Sequence, residues 1–199
     1  MKRILYLILC LCLLVSLAAC GKDKKEEDFF ETTLSFNKDG SITDVIVESF
    51  SEDYYSEEGL KAYFQEKISE YNSSNIGQGS VVLDELTVQD GKAKAVMYFD
   101  SSDTYASFYG TKTFYGTVND AYDKGYITEM VLKKVGGTET ISKMDLMKMS
   151  DEYIIIVGEV VRVKSPKQIE YISANVEMIN DKEVRVSSDS TGMAFMLVK

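Results

Sequence analysis

From residue 32 onward the chain alternates between apolar and polar side chains in short runs separated by turn residues. In TTLSFN, Leu34 and Phe36 alternate with polar neighbours, Lys38-Asp39-Gly40 supplies a turn, and SITDVIVESF returns as a second strand. The period then changes. In SEEGLKAYFQEKISEYN, Leu60, Tyr63, Phe64, Ile68 and Tyr71 recur at helical spacing, and Ser56 is placed to cap the start. A second hairpin is predicted at VVLDELTVQ and KAKAVMYFD around Asp90-Gly91, with Ala93, Ala95, Met97 and Phe99 on one face.

The remaining pattern mixes both periods. SSDTYASFYG reads as a short helix stopped by Gly110, TKTFYGTV as a strand, and NDAYDKGY as one or two helical turns capped by Asn119 and ended by Gly125. ITEMVLKKV reads as a strand before a Gly136-Gly137 turn, and SKMDLMKMS as a short amphipathic helix. EYIIIVGEVVRVK is the most apolar strand, and its Ile-Ile-Ile-Val run predicts a central position. Pro166, the only proline, marks a break before the short strands QIEYIS, NVEMI, EVRVSS and MAFMLV. Strands dominate and helices are interspersed, so the predicted class is α+β with a largely antiparallel sheet and a few short helices. Asp39-Gly40 and Asp90-Gly91 lie 51 residues apart, which suggests a duplicated hairpin-helix unit with Tyr54 and Tyr105 in equivalent places.

The N-terminus follows a different pattern. Lys2 and Arg3 precede sixteen uncharged residues, Ile4 to Ala19, a length suited to the apolar part of a secretory signal. Leu17-Ala18-Ala19-Cys20, followed by Gly21, resembles the lipobox of bacterial lipoproteins. The resemblance implies a signal peptide over residues 1–19, a diacylglyceryl group (the family's palmitate-type lipidation) on the Cys20 thiol, and cleavage that makes Cys20 the first mature residue. Cys10 and Cys12 fit that role less well, because bulky Leu9 and Leu11 precede them. Two acyl chains give stable anchoring where one is marginal. The implied location is the extracytoplasmic face of the cell membrane. The C-terminal run, KSPKQIEYISANVEMINDKEVRVSS with AFMLVK, is also similar to small uncharacterised lipoproteins of Gram-positive gut bacteria. GKDKKEED, Gly21 to Asp28, has seven charges in eight residues and reads as a solvated tether. The expected organisation is therefore a lipidated Cys20 with a tether to residue 30, then one α+β domain over 31–199, with division into two small subdomains left open.

Composition narrows the chemistry. The formal net charge is −10, and removal of Lys2 and Arg3 with the signal peptide brings it to −12. A chain so acidic is repelled by nucleic acid and by anionic polymers, so no nucleic-acid partner is expected. There are no histidines, which removes Ser-His-Asp and Cys-His catalysis and His-ligated zinc. Ser35-x-x-Lys38 matches part of a Ser-Lys hydrolase pattern but lacks the partner elements. Asp100-Ser101-Ser102-Asp103-Thr104 is similar to the Asp-x-Ser-x-Ser metal-adhesion motif of von Willebrand A domains. Thr104 replaces the last serine there, and a helix N-cap by Ser102 or Asp103 is the competing reading. Asn37-x-Asp39-Gly40 and Met144-x-x-Met147 with Met149 have simpler readings as a hairpin turn and as core filling. No cofactor and no metal are predicted.

The most suggestive feature is the nine aromatic residues between Tyr98 and Tyr126. Exposed rings beside carboxylates suit neutral sugars or cationic peptides, whereas buried rings would simply form the core. The candidate ligand-binding residues are Tyr105, Tyr109, Tyr115, Asp100 and Asp103. The expected function is a surface-anchored, non-enzymatic lipoprotein that binds or scaffolds a cell-envelope or extracellular ligand. An envelope-acting hydrolase and the binding component of a transporter remain as alternatives.

Overall fold

β1 (Thr33–Phe36) and β2 (Ile42–Ser49) form the first hairpin, with Phe36 opposite Ile42. The second hairpin is β3 (Val81–Gln89) with β4 (Lys92–Phe99), and it turns where predicted. Asp90 and Gly91 both have positive φ, 51° and 72°, the backbone that matches a two-residue turn to the twist of its strands. In the computed structural model described here, which covers residues 31–74, 80–187 and 192–199, the hairpins join through β2 and β4. Val45 pairs there with Val96, 51 positions later, so the two hairpins are arranged about a local two-fold axis. The likeness ends past the strands. Tyr54 is 78% exposed ahead of a helix, whereas Tyr105 is 3% exposed within one.

Four helices and nine more strands complete the described chain. The helices are α1 (Glu57–Ser73), α2 (Ser102–Tyr109), α3 (Val118–Asp123) and α4 (Lys143–Met147). The strands are β5 (Thr113–Thr117), β6 (Val131–Lys134), β7 (Thr140–Ser142), β8 (Tyr153–Val157), β9 (Arg162–Lys164), β10 (Ile169–Ile172), β11 (Val176–Asn180), β12 (Glu183–Val186) and β13 (Ala194–Val198). They make a seven-stranded sheet in the order β11-β12-β9-β1-β2-β4-β3 and a six-stranded sheet in the order β5-β8-β13-β10-β6-β7. Among the described residues every pairing is antiparallel except β1 with β9. The class is α+β, mostly β, as the alternation implies.

The six-stranded sheet is covered on both faces. One face, with Ile155, Val157, Met196 and Val198, packs on Leu34, Phe36, Ile42, Met97, Phe99 and Val163 of the other sheet. The opposite face, with Ile154, Ile156, Phe195 and Leu197, is covered by Val118, Ala121 and Leu146 of α3 and α4. Two-sided burial is why β8 and β13 read as unbroken apolar runs. β8 is central, between β5 and β13.

Several elements differ from the periodicity. EYIIIVGEVVRVK is two strands, β8 and β9, one in each sheet, and the chain crosses between sheets over residues 158–161. A Cβ at Gly158 would come within 3.3 Å of the Lys112 carbonyl oxygen, so the crossing passes close to the start of β5. The helix expected to be capped by Asn119 starts at Val118 and is capped by Thr117, two residues earlier, whose hydroxyl accepts from the Asp120 N–H. α1 buries no residue fully. Leu60, Phe64, Ile68 and Tyr71 are half-buried, while Tyr63 faces solvent. α4 has a complete capping box between Ser142 and Asp145. Residues Glu31–Lys199 form one compact unit. Cys20, the signal segment and the charged tether lie outside the described residues.

Candidate functional site

The N-terminus of α2, the edge strand β5, α3 and the β1–β2 turn surround a cleft of about 390 Å³. Five aspartates stand around it: Asp39, Asp100, Asp103, Asp120 and Asp123. Phe114 and Tyr115 leave β5 on opposite sides and both reach the cleft. Gly116 lets this happen. A Cβ there would lie 2.7 Å from the tip of the Phe114 ring, so any side chain would displace the ring.

One cation already sits in the cleft. Lys124, just past the end of α3, donates to both carboxylate oxygens of Asp103, at 2.6 Å to Oδ1, and its Nζ lies 5.5 Å from the centroid of the Phe114 ring. A carboxylate on one side and an aromatic ring on the other is the arrangement that holds an ammonium group. Asp39 accepts from the Ser41 hydroxyl at 2.6 Å and from its N–H, and these bonds hold its carboxyl below the usual range. Asp120 accepts from the Thr117 hydroxyl and Asp123 from the Asn119 amide.

Asp100 has a structural task. Its Oδ1 accepts the Thr104 hydroxyl at 2.5 Å, and its Oδ2 accepts the Ser80 N–H at 2.7 Å. The N-cap of α2 is Ser101, accepting from the Thr104 N–H, while the Ser102 hydroxyl accepts from the Tyr115 N–H. The oxygens of the Asp-x-Ser-x-Thr segment thus bind protein donors and tie α2 to β5. The five carboxylates do not converge on a point, and among the described residues no group of three His, Cys, Asp or Glu could hold a metal ion. Met144 is exposed and so fills no core, whereas Met147 and Met149 pack against the core between the six-stranded sheet and helices α3 and α4.

The five sequence-predicted residues divide between two places. Asp100, Asp103 and Tyr115 come together at the cleft. Tyr105 and Tyr109 point the other way, toward the core between the sheets. Tyr105 is 3% exposed and packs against Phe99 at 5.0 Å between ring centroids, so it offers no contact surface. Tyr109 is 37% exposed, and its hydroxyl donates to Asp44 Oδ2 at 3.1 Å.

Asp44 is the residue that sequence reasoning missed. It is 3% exposed, and the loss of hydration pushes its carboxyl up to about 7; the Tyr109 hydroxyl opposes this, and nearby Glu159 adds to it. The Tyr105 hydroxyl lies 3.4 Å from both Glu159 oxygens. Burial likewise pushes both tyrosine hydroxyls upward, with Asp44 next in effect. The signal was available: Asp44 shares the inward face of β2 with Ile42. Asp39, Asp120, Asp123 and Lys124 were also missed, since only the fold brings the β1–β2 turn beside α3.

No family model, curated protein or solved structure matches this chain.

Proposed function

We propose that this protein is a lipid-anchored, non-enzymatic lipoprotein of the extracytoplasmic membrane face that binds a cationic peptide segment at the aspartate-ringed cleft. The anchor is the diacylglyceryl group on Cys20, and the lipobox-like Leu17-Ala18-Ala19-Cys20 supports it. One observation carries the binding reading. The cleft already cradles the Lys124 ammonium between Asp103 and Phe114, with further carboxylates of Asp120 and Asp123 at its margin. A lysine or arginine from another molecule meets the same chemistry. The overall negative charge would speed its approach and make binding salt-sensitive. A neutral sugar is the second reading, favoured by the rings of Phe114 and Tyr115 beside hydrogen-bond acceptors.

The test is calorimetric titration of the purified chain with tetralysine and with a neutral N-acetylglucosamine trimer. Saturable one-to-one binding of tetralysine, weakened at least about fivefold (roughly 1 kcal/mol) by Asp103→Asn with Asp123→Asn, is expected. Binding of the trimer alone would favour the sugar reading. Binding of neither would remove the cleft from consideration.

A further inference from the structure

Tyr115 also lines a second cleft, and its charge is opposite. That cleft has a volume of about 530 Å³, and Lys38, Lys167, Lys182 and Lys199 border it, with Asp181 the one carboxylate side chain among its described lining residues. The four lysines come from the β1–β2 turn, the β9–β10 loop, the β11–β12 turn and the segment after β13. Backbone hydrogen bonds hold three of these segments together. The Ser165 N–H donates to the Lys182 carbonyl at 2.8 Å and the Ile169 N–H to that of Asp181 at 2.9 Å. Lys199 and Gln168 exchange N–H to carbonyl bonds at 2.9 and 3.1 Å.

The chain has 32 acidic and 22 basic residues, so lysines left without carboxylate partners around one cleft stand out. Lys199 is paired, with Glu170 at 2.8 Å and Glu152 at 3.8 Å. Lys167 is not. Its Nζ lies 4.1 Å from the centroid of the Tyr153 ring, a contact that orients the ammonium group without neutralising it. Among the described residues neither Lys38 nor Lys182 has a carboxylate within ion-pair distance. Lys38, Lys167, Lys182 and Lys199 against Asp181, Glu170 and Glu152 leave a local surplus of about one positive charge, and the three ammonium groups without ion-pair partners are the ones that would meet a phosphate group. Ammonium groups are compact donors suited to phosphate oxygens approached from several directions.

We propose that this cleft is an anion site that takes the phosphate group of a small phosphate-bearing ligand, held by Lys38, Lys167 and Lys182. It is separate from the aspartate cleft on the other side of Tyr115 and does not depend on what binds there. Net charge alone argues against such a ligand, and the local arrangement overrides that argument because opposing charges elsewhere are screened beyond about 10 Å at ordinary salt.

The test uses the full chain in neutral detergent, titrated with inorganic pyrophosphate at low salt. Saturable binding is expected, with affinity falling as sodium chloride is added. It should weaken at least about tenfold in the Lys38→Gln, Lys182→Gln double variant. Both side chains are exposed, so the melting temperature of that variant should stay unchanged. Lys61→Gln, on exposed α1, should bind as the parent does. Competition by glycerol phosphate marks a free phosphate as the source. Competition by dihexanoyl phosphatidylglycerol, but not by glycerol phosphate, marks a lipid headgroup. Either result supports the site. Absence of saturable pyrophosphate binding, or the same affinity in the double variant, overturns it.

Discussion

Asp44 ties a single side chain to a property of the whole fold. Its carboxyl titrates at about 7 in the folded protein, against 3.8 for an ordinary aspartate. Below about pH 4 both folded and unfolded chains hold the proton. Between pH 4 and 7 only the folded chain does, so stability falls as pH rises through this window and levels off above it. The full effect is on the order of 4 kcal/mol. Glu159, Tyr105 and Tyr109 are the titratable groups around Asp44. Carboxylates with lowered values, such as Asp145 at about 2, act with the opposite sign and at lower pH. Urea midpoints of the parent at pH 5 and pH 8 should therefore show greater stability at pH 5. Asp44→Asn, which still accepts from Tyr109, should be nearly flat between the two. Equal slopes in parent and variant would mean that Asp44 is not the titrating group. The same scale shows where sequence reading runs out for the aromatics. Tyr105 and Tyr109 sit four apart on one short helix, so the sequence puts them on one face, but it does not say whether that face meets core or solvent.

At the scale of elements, the hairpins, the four helices and the central apolar strand were all legible, because each has its own period and its own stop signals. The Asp90-Gly91 turn and the Gly110 end of α2 are set by local chemistry, and Gly110 is left-handed at φ 68°. The boundary between β8 and β9 was not legible. Both halves of EYIIIVGEVVRVK are apolar, and nothing local tells one sheet from the other. β8 is the strand on which both layers rest, since Ile155 faces one core and Ile154 and Ile156 the other. Ile155→Ala should cost roughly 3–4 kcal/mol, within the range for buried aliphatic truncations. Tyr153→Ala, on the same strand but 36% exposed, should cost clearly less. Chemical denaturation of the two variants checks this, and similar losses would show that β8 is not packed as described.

At the scale of the molecule, sequence and fold inform different parts. The proposed anchor rests on Leu17-Ala18-Ala19-Cys20 alone, and on that proposal Cys20→Ala should move the protein from the membrane fraction to the medium or leave unprocessed precursor. Processed protein retained in the membrane after that substitution would defeat the proposed anchor. The clefts could not be foreseen from composition, because net charge averages over a surface on which aspartates and lysines separate to either side of Tyr115. Three of the five residues expected to bind ligand do meet in one place, because β4, α2 and β5 follow one another in the chain. Their partners Asp39 and Asp123 come from distant segments. Lys124 gives the most direct measurement of what the cleft recognises. If Asp103 and Phe114 hold its ammonium group as an internal stand-in for a cationic ligand, Lys124→Gln removes a competitor and one positive charge. Titration of parent and Lys124→Gln with tetralysine should show the variant binding tighter by about threefold or more, roughly 0.7 kcal/mol, the scale of an exposed ion pair. Equal or weaker binding by the variant would contradict the cation-binding account of this cleft.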